Sequence, residues 1–335
     1  MAKFIKTIPM FYKFIIALVL LLASFGVTAF FGAADTTMHD VLAAFGFHAK
    51  TDAAVLIREI RLPRETAAVF VGAALAVSGA LMQGVTRNPL ADPGLLGLTA
   101  GANAALALTL AFWSGPSTFV IMIACFIGAA VGMLLVVGIG GMKKGGLSPF
   151  RIVLAGAAVS AFLEAIADGT GLYFKLSKDV KMWTAGGLTS TVWQQLEVVV
   201  PFILAGIIIA LLFSRHLTVL SLNQDVAVGL GQKTTFIKTF LFLAIILLAG
   251  ASVALAGNLA FLGLMIPHIV RAVVGPDYRF IVPMSAIAGA AFMLWADTLS
   301  RTMNAPYETP VAAIIAIFGL PFFLIVIHKG GRTFS

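Results

Sequence analysis

Long apolar runs recur along the whole chain, separated by short segments that contain polar residues, proline or glycine. A helix needs about 20 apolar residues to cross the hydrocarbon core of a bilayer, and shorter runs suffice where helices are broken. The pattern therefore predicts an all-α polytopic membrane protein with ten crossings, the eighth of them short. The predicted spans are residues 11–32, 64–84, 94–113, 117–140, 149–174, 193–213, 235–256, 258–271, 280–300 and 309–328.

The composition is typical of a chain surrounded by lipid. Of the 335 residues, 60% are hydrophobic and 11% are charged, and the mean hydropathy is +1.05. Soluble domains carry about 25% charged residues, so soluble enzymes and disordered proteins are excluded. The only cysteine, Cys125, lies in an apolar run and allows no internal disulfide. The five histidines show no metal-ligand spacing, so we expect neither a bound metal nor a cofactor.

Ten crossings place both termini on the same side of the membrane. Lys and Arg in short loops favour the cytoplasmic side, and cytoplasmic termini put most of the 22 basic residues there. The residues concerned are Lys3, Lys6, Lys13, Arg87, Lys143, Lys144, Arg151, Arg215, Lys233, Lys238, Arg271, Arg279, Lys329 and Arg332. We therefore expect a cytoplasmic-membrane protein with cytoplasmic termini, whose net charge of +8 reflects topology and requires no nucleic acid.

Five segments, in a fixed order along the chain, carry a family resemblance. They are Arg61-Leu-Pro-Arg64, the NPLADPGLLG run of residues 88–97, the GNLAFLGLMIPHIVR run of residues 257–271, the pair Asp297 and Arg301, and Glu308-Thr-Pro310. Together they resemble the permease family of binding-protein-dependent ABC importers for iron–siderophores, cobalamin and haem. The resemblance implies the type II ABC importer permease fold, with ten transmembrane helices in one domain (residues 1–335) and two permease subunits around a central path.

The connection after the sixth span is similar to the family's short coupling helices. The segment of about residues 215–235 contains Asp225, and Ala227, Leu230 and Gly231 match the family's A-x-x-L-G pattern. The resemblance implies that this segment contacts a cytoplasmic ATPase, and the alternative is an interfacial loop that lies on lipid.

A phosphate-binding loop is absent from this connection. Residues 229–234 read GLGQKT, whereas a P-loop requires G-x-x-x-x-G-K-[ST]. We therefore expect that this chain does not bind ATP and is a transport subunit and not an enzyme. The resemblance implies that ATP and magnesium bind two separate ATPase subunits.

Three arginines lie near the predicted outer ends of the second and ninth spans: Arg61, Arg64 and Arg301. The resemblance implies that they accept acidic residues of an extracytoplasmic substrate-binding protein, because charge-assisted pairs both orient and steer a partner. The alternative is that they anchor the helices at the lipid headgroups. Asp297 is expected to pair with Arg301 at i+4.

Two carboxylates lie inside the fifth predicted span. Glu164 and Asp168 are four residues apart and share a helix face, and ionisable groups within spans indicate function. The resemblance implies that this helix lines the translocation path. The alternative is that both carboxylates lie near the outer end of the helix, in contact with water.

The resemblance also points to a cytoplasmic gate. It places Asn88 and Leu90 of the NPLADP turn there, together with Ser148 and Pro149 before the fifth span. Pro149 departs from the small hydroxyl residues expected at this place. Asp92 suits the start of the next helix as a capping residue.

The resemblance implies an importer permease that works by alternating access. Overall similarity indicates a ferric siderophore of the hydroxamate type as substrate. Cobalamin or haem stays open within the family, and the competing class is a proton-coupled secondary transporter that uses Glu164 and Asp168. The implied partners are a second permease subunit (identical or homologous), two ATPase subunits and a substrate-binding protein.

Overall fold

The computed structural model describes residues 8–30, 52–141, 149–189, 191–305 and 307–330. Within these ranges the regular elements are all helical. The helices are α1 (Met10–Phe30), α2 (Asp52–Leu56), α3 (Leu62–Thr86), α4 (Leu98–Phe112), α5 (Thr118–Gly141), α6 (Pro149–Tyr173), α7 (Ser177–Thr184), α8 (Trp193–Leu222), α9 (Gln224–Gly229), α10 (Thr234–Ala256), α11 (Leu262–Val274), α12 (Tyr278–Thr302) and α13 (Val311–Gly330).

The predicted all-α membrane fold is confirmed. In the described ranges, seven helices are long and apolar enough to cross a membrane. Three shorter apolar helices occupy the other predicted spans: Leu98–Phe112, Leu262–Val274 and Val311–Val326. The full count of ten crossings stays a prediction.

Two boundaries differ most from the predicted spans, because polar residues continue a helix beyond its apolar run. A π-helical turn, Ile57–Arg61, joins α2 to α3, so that the second span begins well before residue 64. At the sixth span, α8 extends past residue 213 to Leu222. Both extensions place ionisable side chains at the ends of spans, where water and other protein segments can reach them.

Helix α3 lies at the centre of the bundle. Other parts of the chain bury 89% of the most apolar stretch of the span that contains it. Glycines allow two other helices to approach its backbone: a Cβ at Gly72 would overlap the backbone of Gly289 in α12, and a Cβ at Gly79 would overlap Gly263 in α11. Close packing is also present at Gly128 and Gly132 of α5, against the backbone of α4. By contrast, only 11% of the most apolar stretch of α1 is buried, so α1 lies at the periphery of the bundle.

The short eighth predicted span results from a broken helix. Helix α10 ends at Gly257 (φ 71°), and α11 begins only after Phe261 (φ 70°). The turn after α7 stabilises the break, since the Gly187 amide donates to the carbonyl oxygen of Ala256 over 3.0 Å. Gln83 of α3 contacts the start of α11, where its Nε2 donates to the carbonyl oxygen of Leu264 over 3.1 Å. Irregular backbone is tolerated at membrane depth when protein groups satisfy it.

Candidate functional site

A buried group of charged side chains lies where the first turn of α3 meets the last turn of α12. We call it the ion cluster. Its members are Arg61, Arg64, Glu65, Asp297, Arg301 and Glu308. Arg61 comes from the π turn, and Arg64 and Glu65 come from α3. Asp297 and Arg301 come from α12, and Glu308 comes from the segment before α13.

Arg64 is the best-connected residue of the ion cluster. Its Nε donates to both Asp297 oxygens over 3.0 Å, and its Nη2 donates to Oδ1 over 2.9 Å. Its Nη1 donates to Glu308 Oε1 over 2.7 Å. The side chains of Arg64 and Asp297 are 7% and 1% exposed, whereas that of Glu308 is 33% exposed. Glu308 is thus the partner of Arg64 that solvent can reach.

Arg301 forms the second half of the ion cluster. Its Nη2 donates to Glu65 Oε1 over 3.2 Å, and its Nε lies 3.2 Å from Asp297 Oδ2 without hydrogen-bond geometry. The expected i,i+4 pair of Asp297 and Arg301 is therefore confirmed. Arg61 interacts electrostatically with Glu65 and Arg301 and donates to the carbonyl oxygen of Ala29 at the end of α1 over 2.9 Å.

The structure brings the three predicted docking arginines into one site, where all three are buried. Their docking role stays a prediction. Sequence reasoning missed Glu65 as a partner, and it did not pair Glu308 with Arg64. The spacing of Glu65, four residues after Arg61 on a helical stretch, was the available signal for the first of these.

Glu308 connects the ion cluster to the segment that follows α7. Its Oε2 accepts a hydrogen bond from Thr189 Oγ1 over 3.1 Å. Partial burial alone would raise the pKa of Glu308, but the hydrogen bond and charge of Arg64 outweigh that effect and hold this pKa below the usual range. A cleft of about 250 Å³ lies beside this contact, lined by Arg64, Glu308, Thr189, Met182 and neighbouring residues.

The predicted gate turn lies at the opposite end of α3. Asn88 Oδ1 accepts from the Leu90 amide over 3.0 Å, and Asp92 caps the following 3₁₀ turn by accepting from the Gly94 amide over 2.8 Å. The predicted capping role of Asp92 is thereby confirmed. Ser148 lies outside the described residues, and Pro149 is the first residue of α6, with its side chain outside the description. The gate function stays a prediction.

A cavity of about 360 Å³ joins the gate turn to the middle of α6. Leu90, Asp92 and Glu164 all line it, together with apolar groups that include Phe261 and Phe323. Asp168 is exposed but is not part of this lining. The structure thus brings one predicted gate residue and one predicted path residue to the same cavity.

Asp92 makes this region sensitive to pH. Burial raises the pKa of its carboxyl from 3.8 to about 6, although the hydrogen bond from the Gly94 amide opposes that shift. Between these two pKa values the folded chain binds the proton and the unfolded chain does not. The contribution of Asp92 to the free energy of unfolding therefore increases as the pH falls through 6, and it is absent above that pH.

We expect Asp92→Asn to reduce this pH dependence. Asparagine also caps helices, so the turn is kept while the titrating group is removed. As the pH is lowered from about 7.5 to about 4.5, the thermal midpoint of the native protein should rise relative to that of the variant, since native Asp92 then becomes neutral. A difference that stays constant over this range would contradict the assignment. Asp179→Asn on the exposed side of α7 is the control.

The predicted coupling segment is a short helix, α9, with an ordered exit. Asn223 caps it by accepting from the Asp225 amide over 2.8 Å. At its end Gln232 N donates to Ala227 O over 3.0 Å, around Gly231 at φ 78°. A hydrogen bond of this kind at a helix end requires a residue in the left-handed conformation, usually glycine. This requirement accounts for the terminal glycine of the A-x-x-L-G pattern.

The two faces of α9 differ. Ala227 is fully buried, and Gln224 accepts a hydrogen bond from Lys238 Nζ of α10 over 3.0 Å, which fixes the segment against the bundle. Val226, Val228 and Leu230 are 49%, 55% and 68% exposed. The segment therefore presents apolar side chains outward at the same end of the bundle as the gate turn. Contact with an ATPase stays a prediction.

Within the described residues, no group of three His, Cys, Asp or Glu side chains is arranged to hold a metal ion.

Comparison with known proteins identifies the relatives of this chain. The FecCD transport family matches residues 16–329. The chain is 42% identical to the iron(3+)-hydroxamate import system permease protein FhuB of Bacillus subtilis, over 90% of this chain and 79% of that protein. It is 39% identical to the Fe(3+)-citrate import system permease protein YfmD of Bacillus subtilis, over 95% of this chain and 94% of that protein.

A solved structure supports the fold. It is described as an inward-facing conformation of a metal-chelate type ABC transporter, and it superposes with a TM-score of 0.81 at 26% identity, covering 93% of this chain and 97% of the other.

Proposed function

The chain belongs to the FecCD transport family, and from this premise we propose that it is the permease subunit of an ATP-driven importer for iron(3+)–hydroxamate siderophores. The observation that carries the proposal is the 42% identity over 90% of the chain to a hydroxamate permease. Because a permease performs no covalent chemistry, its residues act by binding partners and by changing which side of the membrane the path opens to.

The arrangement of the chain supports an alternating-access cycle with partner proteins. The ion cluster lies at one end of α3 and the gate turn at the other. Helix α9 lies at the gate-turn end, since Lys238, which donates to Gln224 of α9, interacts electrostatically with Arg87. In the proposed orientation the termini and α9 are cytoplasmic, so that α9 contacts one of two ATPase subunits. The ion cluster then faces the outside, where a substrate-binding protein docks. A second permease subunit, identical or homologous, completes the path in the cytoplasmic membrane.

Glu164 fits this proposal as a polar group of the path. It lies nine residues before the end of α6, roughly 13 Å along the helix axis, and lines the cavity that reaches Leu90. Asp168 lies one turn nearer the outer end. In the proposed cycle Glu164 provides a polar group in the lining of the path, and neither carboxylate carries a transported proton.

The proposal predicts a specific dependence of ATP hydrolysis on substrate. The permease, reconstituted in liposomes with its ATPase and binding protein, should hydrolyse ATP faster when the binding protein carries a ferric hydroxamate. The test compares hydroxamate, catecholate and citrate chelates of iron, cobalamin and haem in one panel. Stimulation by cobalamin or haem alone would contradict the substrate assignment. Uptake by the permease alone, driven by a pH gradient, would contradict the ATP-driven mechanism.

A further inference from the structure

Within the described part of the chain, the ion cluster is electrically balanced. Its three arginines face three carboxylates, those of Glu65, Asp297 and Glu308. A buried charge without a partner is strongly unfavourable. A fourth carboxylate, contributed by a docking protein, would leave the cluster with one excess negative charge. Addition of a partner's carboxylate is therefore unfavourable unless one of the three resident carboxylates leaves.

Only one of the resident carboxylates is able to leave. Asp297 and Glu65 have side chains that are each 1% exposed, and they lie on α12 and α3 within the bundle. Glu308 is 33% exposed and lies on the irregular segment before α13. The cleft of about 250 Å³ next to it is lined by both Arg64 and Glu308, and so gives an incoming carboxylate access to this ion pair.

We propose that Glu308 is an exchangeable positioning residue, which occupies the Arg64 site until an acidic side chain of a docking protein replaces it. This inference rests on the proposed docking of a substrate-binding protein at the ion cluster. The exchange keeps the cluster neutral, since one carboxylate enters as the other leaves. It also breaks the hydrogen bond between Glu308 and Thr189.

The exchange transmits docking to α7 and to the turn that follows it. Thr189 follows α7 through Gly186 and Gly187, whose φ angles are 73° and 143°. The Gly187 amide donates to Ala256 O at the end of α10, next to the break that leads to α11. Release of Glu308 therefore frees one of the contacts that hold α7 and its following turn against the bundle.

The first test measures docking. Glu308→Gln keeps the shape of the side chain but removes the resident charge. Affinity of the reconstituted permease complex for its binding protein should rise about 3- to 10-fold, because the competing pair no longer has to break. Glu197→Gln, an exposed acid near the start of α8, controls for the loss of one charge at the same end and should change affinity less than about 2-fold. Weaker or unchanged docking in Glu308→Gln overturns the exchange.

The second test needs no docking protein. A nitroxide is attached at Met182, which is 67% exposed and lines the cleft, through Met182→Cys combined with Cys125→Ala. Its mobility should increase in Glu308→Ala and in Thr189→Val without a partner, and in the native background only after docking. Unchanged mobility in both variants overturns the link to α7. If the native complex binds no partner at all, the proposed docking is contradicted, and the nitroxide measurement still decides whether Glu308 holds this segment.

Discussion

Replacing Asp297 by alanine is expected to lower the free energy of unfolding by about 3–5 kcal/mol, because it leaves two buried arginines without their shared carboxylate. Arg64 makes three hydrogen bonds to Asp297, and Arg301 lies 3.2 Å from its Oδ2. The side chain of Asp297 is 1% exposed, so water cannot compensate for the loss. The remaining acids, Glu65 and Glu308, then face three arginines.

The measurement is a denaturing-detergent titration of the purified chain in mixed micelles, followed by helical circular dichroism. Asp297→Asn keeps an acceptor and should fall between the native protein and the alanine variant. Asp179→Ala, which changes an exposed acid on α7, should stay within about 0.5 kcal/mol of the native value. An Asp297→Ala variant as stable as this control would show that the ion cluster does not hold α3 to α12.

The sequence predicts what depends on neighbours along the chain. Apolar runs predict the spans because a helix satisfies its own backbone in lipid, and the spacing of four residues predicts the pair of Asp297 and Arg301. Each of these features follows from a local period or a local backbone requirement.

Contacts between distant segments were beyond such reasoning. Arg64 and Asp297 are 233 positions apart, and Arg64 and Glu308 are 244 apart. From sequence alone, an arginine at the end of a span fits a lipid anchor and a docking group equally well. The two roles are distinguished only when its carboxylate partners are located. The same holds for the cavity shared by Leu90 and Glu164, which depends on how α6 packs against the gate turn.

Replacing Leu230 by aspartate is expected to reduce ATP-driven uptake at least about 10-fold while the chain still folds, because loss of one central apolar contact at a protein interface commonly has an effect of this size. Leu230 is 68% exposed at the end of α9, so the fold itself loses little. The introduced carboxylate would have to be desolvated against the ATPase. Neither hydrogen bond that closes the helix end at Gly231 and Gln232 uses the Leu230 side chain.

The test measures uptake and ATP hydrolysis in liposomes, together with co-purification of the ATPase with the permease. Leu230→Met keeps an apolar contact and should retain most of the activity. Thr235→Asp places the same charge on an exposed position at the start of α10 and controls for charge at this end of the bundle. Loss of uptake with unchanged unfolding and weakened co-purification assigns α9 to the ATPase contact. Full uptake by Leu230→Asp would instead place α9 on the lipid surface, because a coupling helix cannot transmit ATP binding through an interface that tolerates a buried, unpaired carboxylate.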